Sequence, residues 1–485
     1  MKIDGLLKER DGWLEALDES EICRLASSFR HGDQCAIFQP RKHGAFNVCF
    51  FVKFGSPLER WVLRAPIPMT VSKALLDEKT EIELATIRYV SATTTIPIPK
   101  VHAYGYSDTG SNGLPFIIMD YVEGCSSKDL RDPKYGMNWM LVTSFVDKLE
   151  MREAKHVYQQ LADVYLQLRQ LEFPRIGALG LPSRETPALS CDPEDIRVCN
   201  RPLSIDIVSQ EVDGLEPSAI FPPKTTLPTA KEFVDGLLRL ADNKLEKEHD
   251  QELDLRRCAE TLYAAHHFKQ FVHEEWLDQS ANKGPFVLAH GDMDNIMSNL
   301  LFGKDYNLVA IIDWDFSRIV PARLLVPPIW LYGSQLAGVL LHQKDYNQRV
   351  GRLCAEIQRR EEALDLPPLL SSEWVPLETC ATPPLSSHLT IPRKSTRCTG
   401  TLFSKKWCPS QLRTPTTHGS RDMKKRLPRV SGRFMEASPE LQSFSERKTR
   451  EQMEFFEAEK GYYGDESPRR ICPVPPFAYL DEKYY

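Results

Sequence analysis

Residues 285–316, PFVLAHGDMDNIMSNLLFGKDYNLVAIIDWDF, constrain this chain more tightly than any other stretch. An apolar run ends at Ala289 and enters His290-Gly291-Asp292. A second run, NLLF, leads through GKDYN into LVAIIDW. Two apolar runs about a short polar loop read as a β-hairpin. With its turn centred near Asp305, Ile311 falls opposite Asn299, and Asp313 returns alongside Met297. The Asp313 carboxylate then lies beside the Asn299 amide and close to the loop that holds Asp292. A polar turn between two buried strands is the plain alternative, but such a turn needs only one Asp or Asn. This stretch has Asp292, Asp294, Asn295 and Asn299. Two carboxylates and an amide are oxygen donors of the kind Mg²⁺ takes. Packing alone gives no reason to gather them.

Upstream, the first 120 residues read as a small sheet-rich lobe. AFNVCFFVKF and RWVLRAPI are strands joined by GSPLE. SKALLDEKTEIELATIRYV, from Ser72 to Val90, carries an imperfect helical stripe with Ser72 placed to cap it. IPIPK forces extended chain, and PFIIMDYVEG is a buried strand with a glycine stop. A larger, mainly helical unit begins near Cys125. In REAKHVYQQLADVYLQLRQLEF, the residues Val157, Leu161, Val164, Tyr165 and Leu168 share one face. AKEFVDGLLRLADNKLEKEH and LRRCAETLYAAHHFKQFVHEEW are two further helices. The Pro-rich segment 174–228 reads as a surface covering.

A chain of 485 residues is too long for a single core. The expected divisions are 1–122, 123–365, a disordered linker over 366–432 and a C-terminal segment, 433–485, with one helix. The linker reading rests on a Pro-, Ser- and Lys-rich composition without apolar periodicity. From Arg393 to Arg433 there are 12 Lys or Arg against one acid, Asp422, so this arm is also a candidate for binding an anionic partner. The formal net charge of -6 gives no reason to expect nucleic-acid binding. The N-terminal MKIDGLLKERDGWLEALDES has no apolar core of signal-peptide length, and no run approaches the length of a membrane span. The 12 cysteines are scattered without a C-x-x-C pair and read as reduced thiols of a cytoplasmic protein.

His-Gly-Asp, a following Asn, and then Ile-Ile-Asp-Trp resemble the aminoglycoside phosphotransferase and choline kinase family, small-molecule relatives of the protein kinases. The resemblance extends through roughly residues 40 to 335. It implies a two-lobed, protein-kinase-like α+β fold, with a small antiparallel-sheet N-lobe, a larger mainly helical C-lobe and ATP in the cleft. It also implies that Asp292 orients or deprotonates the hydroxyl or amine of a small acceptor. Asp313 and an Asn would bind Mg²⁺. Arg64 stands where kinases have the phosphate-contacting Lys, and Glu83 where the helix Glu holds that cation. Asp120, Tyr121 and Val122 would flank the adenine, and Gly44 belongs to the phosphate loop.

Three departures stand out. Arg64 replaces Lys, keeping the charge in a bulkier, planar group. The phosphate loop KHGAFNVCF has one glycine where protein kinases have three. The family's Asn position falls on Met297, so the strand-adjacent Asn299 is the better match and Asn295 the other candidate. A phosphotransferase is the reading that retention of Asp292 and Asp313 favours. The alternative is a catalytically weak nucleotide-binding pseudokinase or scaffold.

Overall fold

A computed structural model describes residues 2–55, 58–108, 113–126, 149–182, 191–248, 255–293, 297–332, 339, 342–374 and 429–463. The N-terminal lobe is a five-stranded antiparallel sheet in the order β1-β2-β3-β5-β4. Its strands are β1 (Cys35–His43), β2 (Asn47–Phe54), β3 (Glu59–Pro66), β4 (Val101–Gly105) and β5 (Phe116–Asp120). The two-residue period of a strand sorts its faces. On β3, Trp61 and Leu63 turn to a core shared with Val48, Phe50 and Ile118. Arg64, next in the chain, points the other way, toward the second lobe.

Two helices that the sequence reading did not find, α1 (Lys2–Glu15) and α2 (Glu19–Ser28), cover the back of this sheet through Leu14 and Ala26. Asp18 caps α2 by accepting from the Ser20 amide at 2.8 Å. The helix expected from Ser72 begins as a 3₁₀ turn, Lys73–Leu75, and continues as α3 (Leu76–Thr93). The Ser72 side chain makes no capping bond. Helix α3 is buried on nearly every side, Lys79, Glu81 and Glu83 included, because it lies between the sheet and the second lobe. That enclosure explains why its apolar stripe looked imperfect.

The chain leaves β5 through 121–125, where Cys125 forms a bridge with Phe302 of the second lobe. The second lobe is mainly helical: α4 (Met151–Gln170), α5 (Ile205–Val212), α6 (Ala230–Lys247), α7 (Leu255–Phe271) and α8 (Gln343–Ala363). The face of α4 read from the sequence is the buried one, from Val157 to Leu168. Segment 174–228 is corrected. It is no surface covering, since Ile176, Leu179, Leu203, Ile207, Val208 and Phe221 all enter the main core. After β6 (Glu172–Phe173), its short strands β7 (Ala178–Gly180) and β8 (Arg197–Asn200), with α5, supply that burial without a long period to betray it.

The ordered C-lobe also runs past 365. Leu370 and Trp374 are buried, and Glu361 accepts from the amides of Leu369, Leu370 and Ser371. Residues 375–428, with most of the basic arm, lie outside the described residues. Beyond them come a helix over 429–436 and a longer one, Pro439–Tyr463. Phe434 packs on Tyr263 of α7, and Lys448 Nζ donates to the Glu248 carbonyl at 3.0 Å. Among the described residues, no helix is long and apolar enough to cross a membrane.

Candidate active site

The opening stretch folds as β9 (Phe286–Ala289), a loop, β10 (Leu300–Phe302) and β11 (Leu308–Ile311). The hairpin is present, but its register differs by one residue from the sequence expectation. Phe302 pairs with Leu308, as a turn centred on Asp305 requires, yet Leu301 pairs with Ala310 and Leu300 with Ile311. A bulge at Val309 absorbs one residue and moves Ile311 from Asn299 to Leu300. Asn299 instead faces the next residue, and its carbonyl accepts from the Ile312 amide at 3.0 Å. Asp313 therefore still follows directly on the Asn299 pairing. Asn295 lies outside the described residues.

Asp313 adopts φ +66°, a left-handed backbone that an aspartate tolerates better than most residues. The chain needs it to leave β11 sharply. Trp314 drops into the core, its Nε1 donating to the Ile311 carbonyl at 3.0 Å. Asp315 turns back under the N-lobe. The loop carrying Asp292 lies against this turn so closely that a Cβ on Gly291 would meet the Asp315 carbonyl oxygen at 2.1 Å. His-Gly-Asp thus needs its glycine for a backbone approach.

His290 ties the two loops together. Its Nδ1 accepts from the amides of Asp292 at 3.2 Å and Met293 at 3.0 Å. Its Nε2 donates to the Ile312 carbonyl at 3.1 Å. Both ring positions are committed in the neutral form, and burial pushes its pKa down to about 4. His290 therefore fixes the backbone on either side of the site and has no lone pair left for chemistry. Its effect on stability has a definite sign. It is complete above the unfolded pKa near ~6.5 and is lost as pH falls toward about 4. In that window the unfolded chain takes up a proton that the fold refuses, at ~1.4 kcal/mol per pH unit. Urea denaturation of wild type and His290→Gln between these limits should give curves that converge as pH falls. Parallel curves would contradict the assignment.

Arg64 stands at the centre of the cleft. Its Nη1 donates to Glu83 on α3, and its Nη2 to both Asp313 and Asp315, the latter at 2.8 Å. Asp315 also accepts from Lys79 Nζ at 2.7 Å and Asn47 Nδ2 at 2.6 Å. Burial by itself would lower the Arg64 pKa, but Asp313, Asp315 and Glu83 outweigh it and hold the guanidinium charged. Burial would raise Asp315, yet Arg64 and Lys79 hold it far below the carboxylate range. Glu83 goes the other way, with burial first and Asp315 second pushing it well above its ordinary value. Asp315, Lys79 and Asn47 were not found from the sequence. The available signals were Lys79 four residues before Glu83 on one helix face and a second acid two residues after Asp313.

Gly44 lies in the β1–β2 turn, its amide donating to the Asn47 carbonyl at 2.8 Å. Phe46 of the same turn meets Phe316 edge-on at 5.2 Å, so the turn sits directly over the 313–316 segment. At the junction between lobes, the amides of Asp120 and Tyr121 donate to Lys100 and Arg60 carbonyls. Neither amide is available to a ligand, whereas Val122 follows with no such bond among the described residues. Asp120 also holds His102 at 2.6 Å. Asp292 is half-buried at the end of the His290 loop. Asn299 is buried, and its Nδ2 has no partner among the described residues. A half-turn of that amide would present Oδ1 instead. The buried Asp315 Oδ1 is likewise unpartnered. Carboxylates and an amide with spare valence beside a half-exposed Asp313 are a donor set that suits a hard cation.

The Phosphotransferase enzyme family matches residues 38–323. A relative in Candida glabrata, "Altered inheritance of mitochondria protein 9, mitochondrial", is 24% identical over 122 residues, 24% of this chain and 19% of that protein. A "Subtelomeric hrmA-associated cluster protein" of Aspergillus fumigatus is 25% identical over 147 residues, 30% of this chain and 25% of that protein. The matches thus span a quarter or less of these curated relatives. Among solved structures, the aminoglycoside phosphotransferase APH(4)-Ia with AMP-PNP and hygromycin B superposes with a TM-score of 0.38 at 12% identity. It covers 84% of this chain and 97% of that one.

Proposed function

The chain belongs to the phosphotransferase enzyme family, and from that premise we propose that it transfers the γ-phosphoryl group of ATP to a hydroxyl or amine of a small molecule. One observation carries this reading. Arg64 and Glu83 from the N-lobe and Asp313 from the C-lobe, 249 positions from Arg64, meet in one ion-pair cluster. It lies beside the loop of Asp292, and a structural ion pair would not require that placement.

Phosphoryl transfer is mainly positioning and charge neutralisation. Asp292 orients the acceptor and takes its proton. Arg64, steered by Glu83, contacts the nucleotide phosphates. Asp313 and Asn299 would hold Mg²⁺, which would supply charge neutralisation at the nucleotide phosphates. Asp120, Tyr121 and Val122 flank the adenine, with the Val122 amide as donor, and Gly44 lets the β1–β2 turn approach the phosphates. The eight described cysteines are all free thiols, which supports a reducing compartment, and we assign the cytoplasm. A small-molecule acceptor is the only partner this site calls for. The basic 393–433 arm is a separate candidate surface for anionic partners.

Mg-ATP at a hundredfold excess over its Kd should stabilise the fold by ~2.7 kcal/mol. Thermal melts with and without Mg-ATP check this, and an unmoved midpoint at millimolar nucleotide would contradict it. The second reading, a catalytically weak nucleotide binder, is favoured by the direct pairing of Arg64 with Asp313, which occupies both groups. Binding of Mg-ATP without transfer to any acceptor would decide for it.

A further inference from the structure

We propose that Lys79 is a positioning residue for phosphoryl transfer, acting through Asp315. By balancing that carboxylate it leaves Arg64 free to exchange the 313–315 turn for nucleotide phosphate. This inference rests on the nucleotide reading above.

Lysine is among the residues least often buried, yet Lys79 is 1% exposed. It sits one turn before Glu83 on the same face of α3 and reaches past Arg64 to the metal-binding turn. Its Nζ donates to Asp315 at 2.7 Å and to Asn47 Oδ1 at 2.8 Å, and it stands 5.6 Å from the Phe316 ring centre. Asn47 completes the triangle, since its Nδ2 donates to the same Asp315 oxygen at 2.6 Å. One oxygen, Oδ2 of Asp315, thus receives donors from β2, α3 and β3, all of the N-lobe.

The charge inventory gives Lys79 its role. Two cations, Arg64 and Lys79, face the carboxylates of Asp313 and Asp315, with Glu83 on Arg64 as a third acid whose burial disfavours its charge. A buried carboxylate demands a counter-ion. Without Lys79, Arg64 would be the sole cation for Asp315 as well as for Asp313 and Glu83, and phosphate would have to compete with all of them. With Lys79 present, Asp315 keeps a partner when Arg64 turns away. The turn that carries Asp313 then also stays fastened to the N-lobe.

Calorimetric titration of the full-length protein with Mg-ATP tests this in wild type, Lys79→Met, Lys79→Arg and the double variant Lys79→Met with Asp315→Asn. Melting midpoints are recorded alongside. Lys79→Met should weaken Mg-ATP binding roughly tenfold or more, and Lys79→Arg should retain most of the affinity. The double variant should regain it, because no carboxylate is left to detain Arg64. A lysine that merely braces the lobes would leave the double variant as weak as the single one, and that result overturns the proposal. So does wild-type affinity in a folded Lys79→Met. If Lys79→Met does not fold, the double variant decides by the same criterion: wild-type-like affinity supports the proposal and a roughly tenfold loss overturns it. A wild-type protein that binds no Mg-ATP overturns the nucleotide reading and this inference with it, which separates the two failures.

Discussion

Asp292→Ala should abolish phosphoryl transfer while leaving Mg-ATP affinity close to that of the wild type. Asp292 sits at the end of the loop that β9 delivers into the cleft, and its backbone amide is held by His290. Gly291 lets the same loop lie against the Asp315 carbonyl, so the position of the carboxylate is set by contacts that survive its removal. The proposed partner of Asp292 is the acceptor hydroxyl or amine, and the nucleotide does not depend on it. A positioned general base contributes ~10²–10⁴-fold, so loss of both proton acceptance and orientation should place the variant below ordinary detection. Turnover is read as ADP release with an acceptor, and binding as Mg-ATP titration. Turnover within about tenfold of wild type would remove Asp292 from the reaction.

Asn299→Ala should be nearly as severe for transfer, with a small effect on the fold. The Asn299 carbonyl, which pairs with the Ile312 amide, is a backbone group that alanine retains. Its side-chain nitrogen has no partner among the described residues, so truncation strands no buried charge. A buried neutral amide without a partner is costly to keep, and the position beside Asp313 gives a reason for it as a ligand. Removing this proposed oxygen ligand should cost ~10²–10³-fold in transfer, since phosphoryl transfer rests largely on electrostatics. The loss should appear as a raised Mg²⁺ requirement. Asn295→Ala should be mild. If Asn295→Ala proves the damaging change and Asn299→Ala the mild one, the ligand is Asn295.

What the sequence made legible here was local. His290, Gly291, Asp292 and Asp313 lie within 24 residues of one another, and the apolar runs around them announce their strands. The turn centre at Asp305 was readable too, because a Gly-Lys-Asp-Tyr-Asn loop has few ways to fold. The bulge at Val309 was not, since nothing in an apolar run marks which residue a strand leaves unpaired. Arg64 and Glu83 were found through the family resemblance, which offered no role for Lys79. On a helix enclosed on nearly every side, polar residues no longer mark a solvent face, so a buried lysine looks like any exposed one.

Segment 174–228 illustrates the same limit. Proline density suggested surface, yet Leu203, Ile207 and Phe221 are buried and Arg201 of this segment grips Glu78 on α3 at 2.6 Å. Its residues are held by tertiary contacts with other elements, and these leave no period in the chain. Helices α1 and α2 were missed because only a few of their side chains, Leu14 and Ala26 among them, turn into the core of the sheet they cover.

The most direct test of a phosphotransferase is ADP release by purified protein with ATP and Mg²⁺ across a panel of small hydroxyl- and amine-bearing metabolites, run in parallel with Asp292→Ala. The expected result is release that requires both an acceptor and Mg²⁺ and that disappears in the variant. Release that is equal in the two proteins, or Mg-ATP binding with no acceptor-dependent release anywhere in the panel, would contradict it.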